Sequence, residues 1–487
     1  MLSHSKSGVA RRVACAVLAL SFAVSVFALP IEEPADSPNS IGHADYKIAE
    51  VAAEAKKGSK SSSVLFKGAT IIAYDDKKDD LDIIRGGSLL IINDRIADVG
   101  KKINTPIPEG TEVVDVTGSI ITPGFVDTHK HSWEHIYQSL GPNVLLGEYM
   151  YKFSSFAKIT TKINPDDSYI STLMSLTDSL NGGVTSVLDH AHGTFTPKHS
   201  DAMLKAHIDS GARVWNAYSI IPVPKVKKGK FFLDHAGQEP GGWKWKQLEQ
   251  LAKDAPWADG RVQLGLESGA YSNIIYQLDQ WGYLEKSCPI VFSHGTTSDT
   301  NDLEILHRTN NFFSVTPESE HHYDHGQTNT QTFLSQSALG IDTSFTFSSD
   351  ILSQMRLQLQ STRLRMAQGA HSNFKFVNNT AMTVKQAFLL GTRNGGLAMR
   401  RPDIGVIKKG AKADVVVFDT DNAATSAFYD PIAAVVLHSN VGNIEHVLVD
   451  GQWVKRDFKL VGLDWKKMKA TFAKSARKIQ KIWLKLE

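Results

Sequence analysis

The chain has 487 residues, enough for two or three domains or for one large barrel with a satellite domain. Its 53 Lys and Arg residues nearly balance its 51 Asp and Glu residues, so the overall charge does not indicate a nucleic acid or a strongly acidic partner. Hydrophobic residues make up 42% and charged residues 21%, which indicates a globular protein and excludes a disordered one.

The N-terminus carries the pattern of a secretory signal. Two arginines at 11–12 precede an apolar run over 13–29, and Val26 and Ala28 suit positions −3 and −1 of a signal-peptidase site. We therefore predict a cleaved signal peptide over 1–28 and a secreted protein. The run is at the short limit for a membrane span, so a signal anchor in a membrane of the secretory pathway is the alternative. No stable membrane insertion is expected elsewhere.

A small β unit follows a polar segment. Residues 29–62, rich in Pro, Ser, Glu and Lys, are interpreted as a linker. Over 63–122 the sequence is strand-like, with a hairpin turn at Asn93-Asp94. We interpret this segment as one half of a β-sandwich.

From residue 123 to 400 short apolar strands alternate with helical stretches, a pattern typical of parallel βα units. The length fits an α/β fold with a (β/α)8 TIM-like barrel, typically about 250 residues long. Only seven strands can be counted, so the barrel is predicted to be shortened by about one βα unit. The predicted strands are 121–129, 184–190, 213–220, 262–267, 289–294, 312–316 and 338–342.

Strand patterns return over 401–460, with an Asp-Gly hairpin turn at 450–451. We predict that this segment completes the β-sandwich, so that both chain ends form one domain with the barrel inserted. The final stretch, 461–487, has apolar residues at helical spacing with Lys and Arg between them. It predicts an amphipathic helix docked on the barrel, with a helix on a membrane surface as the alternative.

A His-Lys-His sequence at the end of the first barrel strand is the strongest chemical signal. Residues i and i+2 of a strand face the same side, so His129 and His131 can point together into one pocket. Two convergent imidazoles favour a divalent metal site. A structural histidine pair is the alternative.

Motifs along residues 63 to about 465 resemble the amidohydrolase superfamily, in particular its cytosine deaminase and chlorohydrolase-like branch with its fungal and bacterial amidohydrolases. The resembling motifs are residues 123–133 (PGFVDTHKHSW), 183–192 (GVTSVLDHAH), 292–295 (FSHG), 316–320 (TPESE), 339–342 (LGID), 391–396 (GTRNGG) and 410–415 (GAKADV).

The resemblance implies a role for several residues. His129, His131 and Asp342 resemble the ligands of one divalent ion, with zinc the first expectation and iron or manganese the alternatives. Asp342 also resembles the catalytic general base, and His294 the catalytic histidine that orients substrate. Each has a structural alternative, since Asp342 could cap a turn and His294 could be a core histidine.

Other polar and aromatic residues are candidates for substrate binding. His192, Trp133 and Glu318 are predicted to contact substrate. His190 and His192 form a second His-x-His pair, for which pocket lining is favoured over metal ligation. Trp133 could instead belong to the core, and Glu318 could lie on a solvent-exposed face.

One expected ligand cannot be placed. The resembled family has a further histidine at the end of its fifth strand, and residues 268–288 leave no room for that strand. Three explanations stay open: a lost exon, a true shortening in which Glu267, His190 or His294 completes the site, or a degenerate and inactive member.

We predict a metal-dependent amidohydrolase that cleaves a C–N bond of a small molecule, as an amide, a cyclic amide or a ring amine. Metal-activated water would be the nucleophile. The alternative is a non-catalytic barrel that binds a small ligand. No nucleic-acid partner is expected, and the resemblance allows a homodimer. The sequon at Asn378 predicts a glycoprotein.

Overall fold

The computed structural model describes residues 17–22, 62–270, 274–285, 288–326, 330 and 333–485. Within these residues the strands are β1 (Val17–Phe22), β2 (Ser63–Asp75), β3 (Asp80–Ile92), β4 (Arg95–Gly100), β5 (Glu112–Asp115), β6 (Ile120–Pro123), β7 (Phe125–Lys130), β8 (Val184–Ala191), β9 (Arg213–Ser219), β10 (Val223–Lys227), β11 (Lys230–Asp234), β12 (Val262–Ala270), β13 (Ile290–Ser293), β14 (Phe312–Val315), β15 (Ser337–Leu339), β16 (Val415–Phe418), β17 (Ile444–Val449), β18 (Gln452–Arg456) and β19 (Lys459–Leu460).

The α-helices of the described residues alternate with the barrel strands and then close the chain. They are α1 (Leu146–Lys152), α2 (Pro165–Asn181), α3 (Pro197–Ser210), α4 (Trp243–Asp254), α5 (Ile274–Gln280), α6 (Thr300–Thr309), α7 (Pro317–His322), α8 (Ile351–His371), α9 (Val384–Leu390), α10 (Arg393–Ala398), α11 (Pro431–Ala433) and α12 (Trp465–Trp483).

Eight parallel strands form the barrel, in the order β7-β8-β9-β12-β1-β13-β14-β15. A parallel bridge between Lys130 and Asp342 joins the last strand to the first and closes the ring. Strands β7, β8, β9, β13, β14 and β15 are buried along their whole length, as expected for parallel strands covered by helices. The predicted α/β fold is therefore confirmed.

A second sheet contains strands from both ends of the described chain. Its order is β19-β18-β17-β16-β6-β2-β3-β4, with β5 paired to β2. Strand β6 pairs with β16 from Ile120↔Phe418 to Pro123↔Val415, and β7 begins two residues after β6 ends. The sheet therefore leads directly into the first barrel strand and fixes its start.

The fifth place in the barrel is taken by β1, which the sequence analysis does not predict. Strand β1 pairs with β12 from Val17↔Gly265 to Phe22↔Ala270, and with β13 at three positions. Among the described residues between β12 and β13, only the helix α5 is present. The prediction of a barrel shortened to seven strands is therefore not confirmed. The apolar strand β1, far away in the sequence, lies between β12 and β13 as the eighth strand.

The strand β1 lies within the predicted signal peptide, whose other residues lie outside the described residues, as does the predicted linker up to residue 61. No described helix combines the length and the apolar character that a membrane span requires.

The C-terminal helix α12 packs its apolar face on the barrel. Its buried residues Met468, Phe472, Ala476 and Ile479 join a core cluster that also contains residues of α2. The Phe472 ring lies 5.4 Å from the ring of His135. The amphipathic pattern therefore corresponds to a helix docked on the barrel.

A buried charge cluster fastens the barrel to the second sheet. Arg213, at the start of β9, is 1% exposed and donates to both carboxylate oxygens of Asp414 at 3.1 Å. It also donates to Asp450 in the turn between β17 and β18. Since an unpaired charge is costly to bury, these three residues depend on one another.

We predict that Arg213→Met lowers the free energy of unfolding by about 3–5 kcal/mol, because it leaves the buried carboxylate of Asp414 without its cation, whereas Asp450 keeps Lys412 at 3.0 Å. The matched control is Arg308→Met, whose guanidinium is 48% exposed and pairs with surface carboxylates. Urea denaturation followed by circular dichroism would measure both. Equal stabilities of the two variants would contradict this prediction.

Removal of β1 should also destabilise the barrel. Deletion of residues 1–28 would leave β12 and β13 with unpaired edges, so we expect the melting temperature to fall by at least about 5 °C. Deletion of residues 1–12 spares β1 and is the control. Differential scanning calorimetry would compare both with the full chain, and an unchanged melting temperature after deletion of 1–28 would refute the role of β1.

Candidate metal centre

The four predicted metal-binding and catalytic residues, together with His190, meet at the carboxyl ends of the barrel strands, where the active sites of barrel enzymes are located. His129 lies at the end of β7 and His131 directly follows it, His190 lies near the end of β8, His294 follows β13, and Asp342 follows β15. Each of the five is at most 6% exposed.

The backbone brings Asp342 between the two histidines of the His-Lys-His sequence. The Asp342 N–H donates to the His129 carbonyl at 2.7 Å, and the His131 N–H donates to the Asp342 carbonyl at 3.1 Å. Asp342 has a φ of 71° and His294 a φ of 66°. These left-handed conformations are uncommon for residues other than glycine and mark the points where the strands end in the site.

The carboxylate of Asp342 faces three imidazoles. Its Oδ1 lies 3.1 Å from His131 Nε2 and 3.5 Å from His129 Nε2, and its Oδ2 lies 3.9 Å from His294 Nε2. Ser319 donates a hydrogen bond to Oδ2. All these groups can therefore act on one small volume.

Burial and pairing act in opposite directions on the ionisation of the site. Burial disfavours the charged form of Asp342, but the adjacent imidazoles of His129 and His131 outweigh this effect and hold the Asp342 pKa well below its usual value. Burial lowers the pKa of His131, yet Asp342 raises it to about 9. Burial keeps the pKa of His129 well below its usual value, which leaves a neutral ring of the kind that binds metal.

The donor set fits a divalent ion. Ligand atoms of His129, His131 and His190 lie within 4.8 Å of one another, and so do those of His129, His294 and Asp342. The buried Nε2 of His129 has no hydrogen-bond partner among the described residues. Neutral imidazoles and one carboxylate are ligands that zinc accepts, so these residues could hold such an ion.

Neighbouring side chains orient the rings of the candidate ligands. Ser293 Oγ lies 2.9 Å from His129 Nδ1, and Thr316 Oγ1 lies 2.8 Å from His294 Nδ1. Because each bond uses Nδ1, the Nε2 atom of each ring remains available to bind a ligand in the site. The buried Asp127 accepts from the backbone N–H groups of His129 at 3.1 Å and of Ile341 at 3.0 Å, and so ties the first strand to the last.

The predicted substrate-binding residues occupy different places. His192 lines the cavity above the site, and the buried Trp133 lies behind it and donates to His192 Nδ1 at 2.9 Å. The side chain of Glu318 is bonded to Gln354 of α8 and is not among the cavity-lining residues. Glu318 is the second residue of α7, where its side chain faces Gln354.

Three further residues line the cavity: Glu267, which the sequence offers only as a possible substitute ligand, and Tyr323 and His325, for which the sequence predicts no role. Glu267 ends in the cavity, 3.6 Å from His190, and burial raises its pKa to about 8. Tyr323 and His325 cover the other side, with the His325 ring 4.4 Å from that of His294. The cluster of histidines at 321, 322 and 325 is the sequence signal that points to this side of the cavity.

The chain matches a family model described as "Amidohydrolase family" over residues 120–269 and 278–454. It is 24% identical over 440 residues to a 5'-deoxyadenosine deaminase of Methanobrevibacter smithii, which covers 83% of this chain and 95% of that protein. A 5-methylthioadenosine/S-adenosylhomocysteine deaminase of Thermococcus kodakarensis is 23% identical, over 80% of this chain and 93% of the relative.

Solved structures have the same fold. The zinc complex of atrazine chlorohydrolase TrzN from Arthrobacter aurescens TC1 superposes with a TM-score of 0.70 at 18% identity, over 85% of this chain and 100% of that one. An adenosine deaminase of Xanthomonas campestris with bound zinc gives a TM-score of 0.71 at 14% identity, over 86% of this chain and 99% of the other.

We predict that Asp127→Ala weakens zinc binding about tenfold or more, because it frees the backbone next to His129 and next to Asp342. Asp127→Asn keeps an oxygen that can accept both bonds and should retain most of the affinity. Competition with a chromophoric chelator would measure both constants. Equal losses in the two variants would argue against this backbone clamp.

Proposed function

This chain belongs to the amidohydrolase family, and from that premise we propose that it replaces the amino group of an electron-poor heteroaromatic ring by a hydroxyl group from water. As a member of that family it is a metal-dependent hydrolase of C–N bonds in small molecules. The observation that carries the proposal is the convergence of His129, His131 and Asp342 at the carboxyl ends of the barrel strands.

We assign one divalent ion, zinc in the first place, to His129, His131, His190 and Asp342. Zinc is present in the structures of relatives. His190 would then replace the histidine expected on a fifth strand, since its imidazole is grouped with those of His129 and His131. When bound, the ion lowers the pKa of water and supplies the nucleophile near neutral pH.

Asp342 is suited to transfer the protons of this reaction. Its carboxylate is held ionised, and Ser319 and His294 face its Oδ2. It accepts a proton from the attacking water as the C–O bond forms. It returns that proton to the amino group, which leaves as ammonia when the C–N bond breaks.

His294 is suited to position the substrate. Thr316 fixes its ring through Nδ1, so Nε2 faces both the cavity and Asp342. We assign His294 a hydrogen bond to the ring nitrogen or to the developing oxygen next to the reacting carbon.

The relatives suggest an aminopurine nucleoside as the first substrate to test. The relatives named above are deaminases of 5'-deoxyadenosine and of 5-methylthioadenosine and S-adenosylhomocysteine. An exocyclic amine on a purine is the C–N bond of a ring amine, which agrees with the reaction proposed.

Secretion, glycosylation at Asn378 and a homodimer are further proposals. Asn378 lies in an exposed segment, which makes it accessible to modification. Secretion is supported only by the sequence pattern of residues 1–28, and cleavage after Ala28 would remove β1 from the barrel. Intact-mass measurement of protein from a eukaryotic host would determine both the N-terminus and the glycan.

We predict about one zinc per chain in the purified protein and release of ammonia from at least one aminopurine nucleoside. The variant with both His129→Ala and His131→Ala should lose the metal and the activity. His371→Ala changes an exposed histidine and is the control. Metal analysis and a coupled ammonia assay would be used. Folded protein without metal and without turnover would refute the proposed function.

A further inference from the structure

The cavity above the metal centre has two chemically different ends. Its inner end is formed by buried ionisable groups, namely His129, His131, Glu267, His294 and Asp342. Its more exposed part is formed by apolar side chains that are only partly buried, namely Leu146, Met150, Phe156 and Ile221, and we call this part its mouth; the buried Ser154 and Ser155 line the cavity beside them. A ligand that covered this mouth would remove apolar surface from water.

The mouth is held together by contacts between α1 and the loop after α7. The Leu146 N–H donates to the Tyr323 carbonyl at 3.0 Å. The rings of Tyr149 and Tyr323 stack with their centroids 5.2 Å apart. Tyr149 also donates to Glu134 at 3.0 Å, so this wall is tied to the segment after β7. The apolar side chains are thus presented by a packed scaffold.

The described lining of the cavity contains no Lys or Arg. The neighbouring ammonium groups are directed elsewhere, since Lys152 pairs with Glu148 and the buried Lys244 donates to the Ser219 carbonyl at 3.2 Å. The acidic residues of the lining, Glu267 and Asp342, cannot compensate an anion as a cation would. A phosphate or carboxylate at the mouth would therefore lose water without gaining a charged partner.

We propose that this cavity selects a heteroaromatic amine whose substituent is uncharged, and that Leu146, Met150 and Phe156 form the subsite for that substituent. The proposal rests on the proposed function, because it assumes that the reacting amine lies at the metal centre. It adds that substrates with a phosphate or an amino-acid substituent are excluded. The type of reaction alone does not predict this exclusion.

Matched substrate pairs test the selection. 5'-Deoxyadenosine and adenosine 5'-monophosphate differ in a hydrogen against a phosphate. 5'-Methylthioadenosine and S-adenosylhomocysteine differ in a methyl group against a charged amino-acid tail. With zinc-loaded full-length protein we expect kcat/KM for each uncharged member to exceed that of its partner by about 100-fold, since a desolvated charge would stay unpaired.

Introduction of a cation at the mouth should change the preference. Met150→Lys should raise kcat/KM for adenosine 5'-monophosphate, relative to 5'-deoxyadenosine, by about tenfold. Tyr151→Lys adds the same charge to α1 at a side chain that is 65% exposed and does not line the cavity, so it is the control. Phe156→Arg places a second cation in the subsite if Met150→Lys fails to fold, as judged by circular dichroism.

The possible outcomes distinguish the substrate selection from the proposed function. Turnover of the uncharged members alone, with a shift in the subsite variants and none in the control, supports the selection. Comparable turnover of charged and uncharged members would overturn the selection and leave the proposed function standing. A shift in Tyr151→Lys equal to that in the subsite variants would also overturn the subsite. The absence of turnover for all four compounds, in folded and zinc-loaded protein, would overturn the proposed function and with it the selection.

Discussion

The pairing of the last barrel strand with the first determines the geometry of this site. The backbone of Asp342 is bonded both to His129 and to His131, so the carboxylate and the two imidazoles are fixed by main-chain hydrogen bonds. Asp127 adds a second connection between the same strands. A constellation set by the backbone loses less conformational entropy when it forms than one that depends on long side chains alone. The ligands are therefore in place before a metal or a substrate binds.

Closure at this seam requires that every other place in the barrel be filled. In a ring of parallel strands, a missing strand would leave two unpaired edges and allow the seam to open. Strand β1 occupies the fifth place, between β12, which contains Glu267, and β13, which is followed by His294. The charge cluster around Arg213 fastens the opposite end of the barrel to the second sheet. Strand β1 and the charge cluster around Arg213 thus stabilise the barrel that holds the metal centre in place.

Much of this arrangement could be predicted because local sequence encodes it. The two-residue period of a strand places His129 and His131 on one face, and the alternation of strands and helices brings strand ends together. The place of β1 could not be predicted, since its pairing partners are more than 240 residues away and its apolar run also fits a signal peptide. His190 was undervalued because its neighbour His192 fits the pocket equally well. The contact of Glu318 with Gln354 depends on the turn into α7, which the sequence does not give.

The gradient from an ionisable inner end to an apolar mouth also orients a substrate. An amino group buried without partners would cost free energy, and its partners lie at the inner end next to Asp342. An apolar substituent gains about 25 cal/mol per Å² of surface removed from water, and the cavity offers such surface at Leu146, Met150, Phe156 and Ile221. The reversed orientation loses both contributions. If Asp342 transfers the protons as proposed, the two ends bring the C–N bond to its carboxylate, and binding energy from the substituent is used for positioning at the reacting carbon.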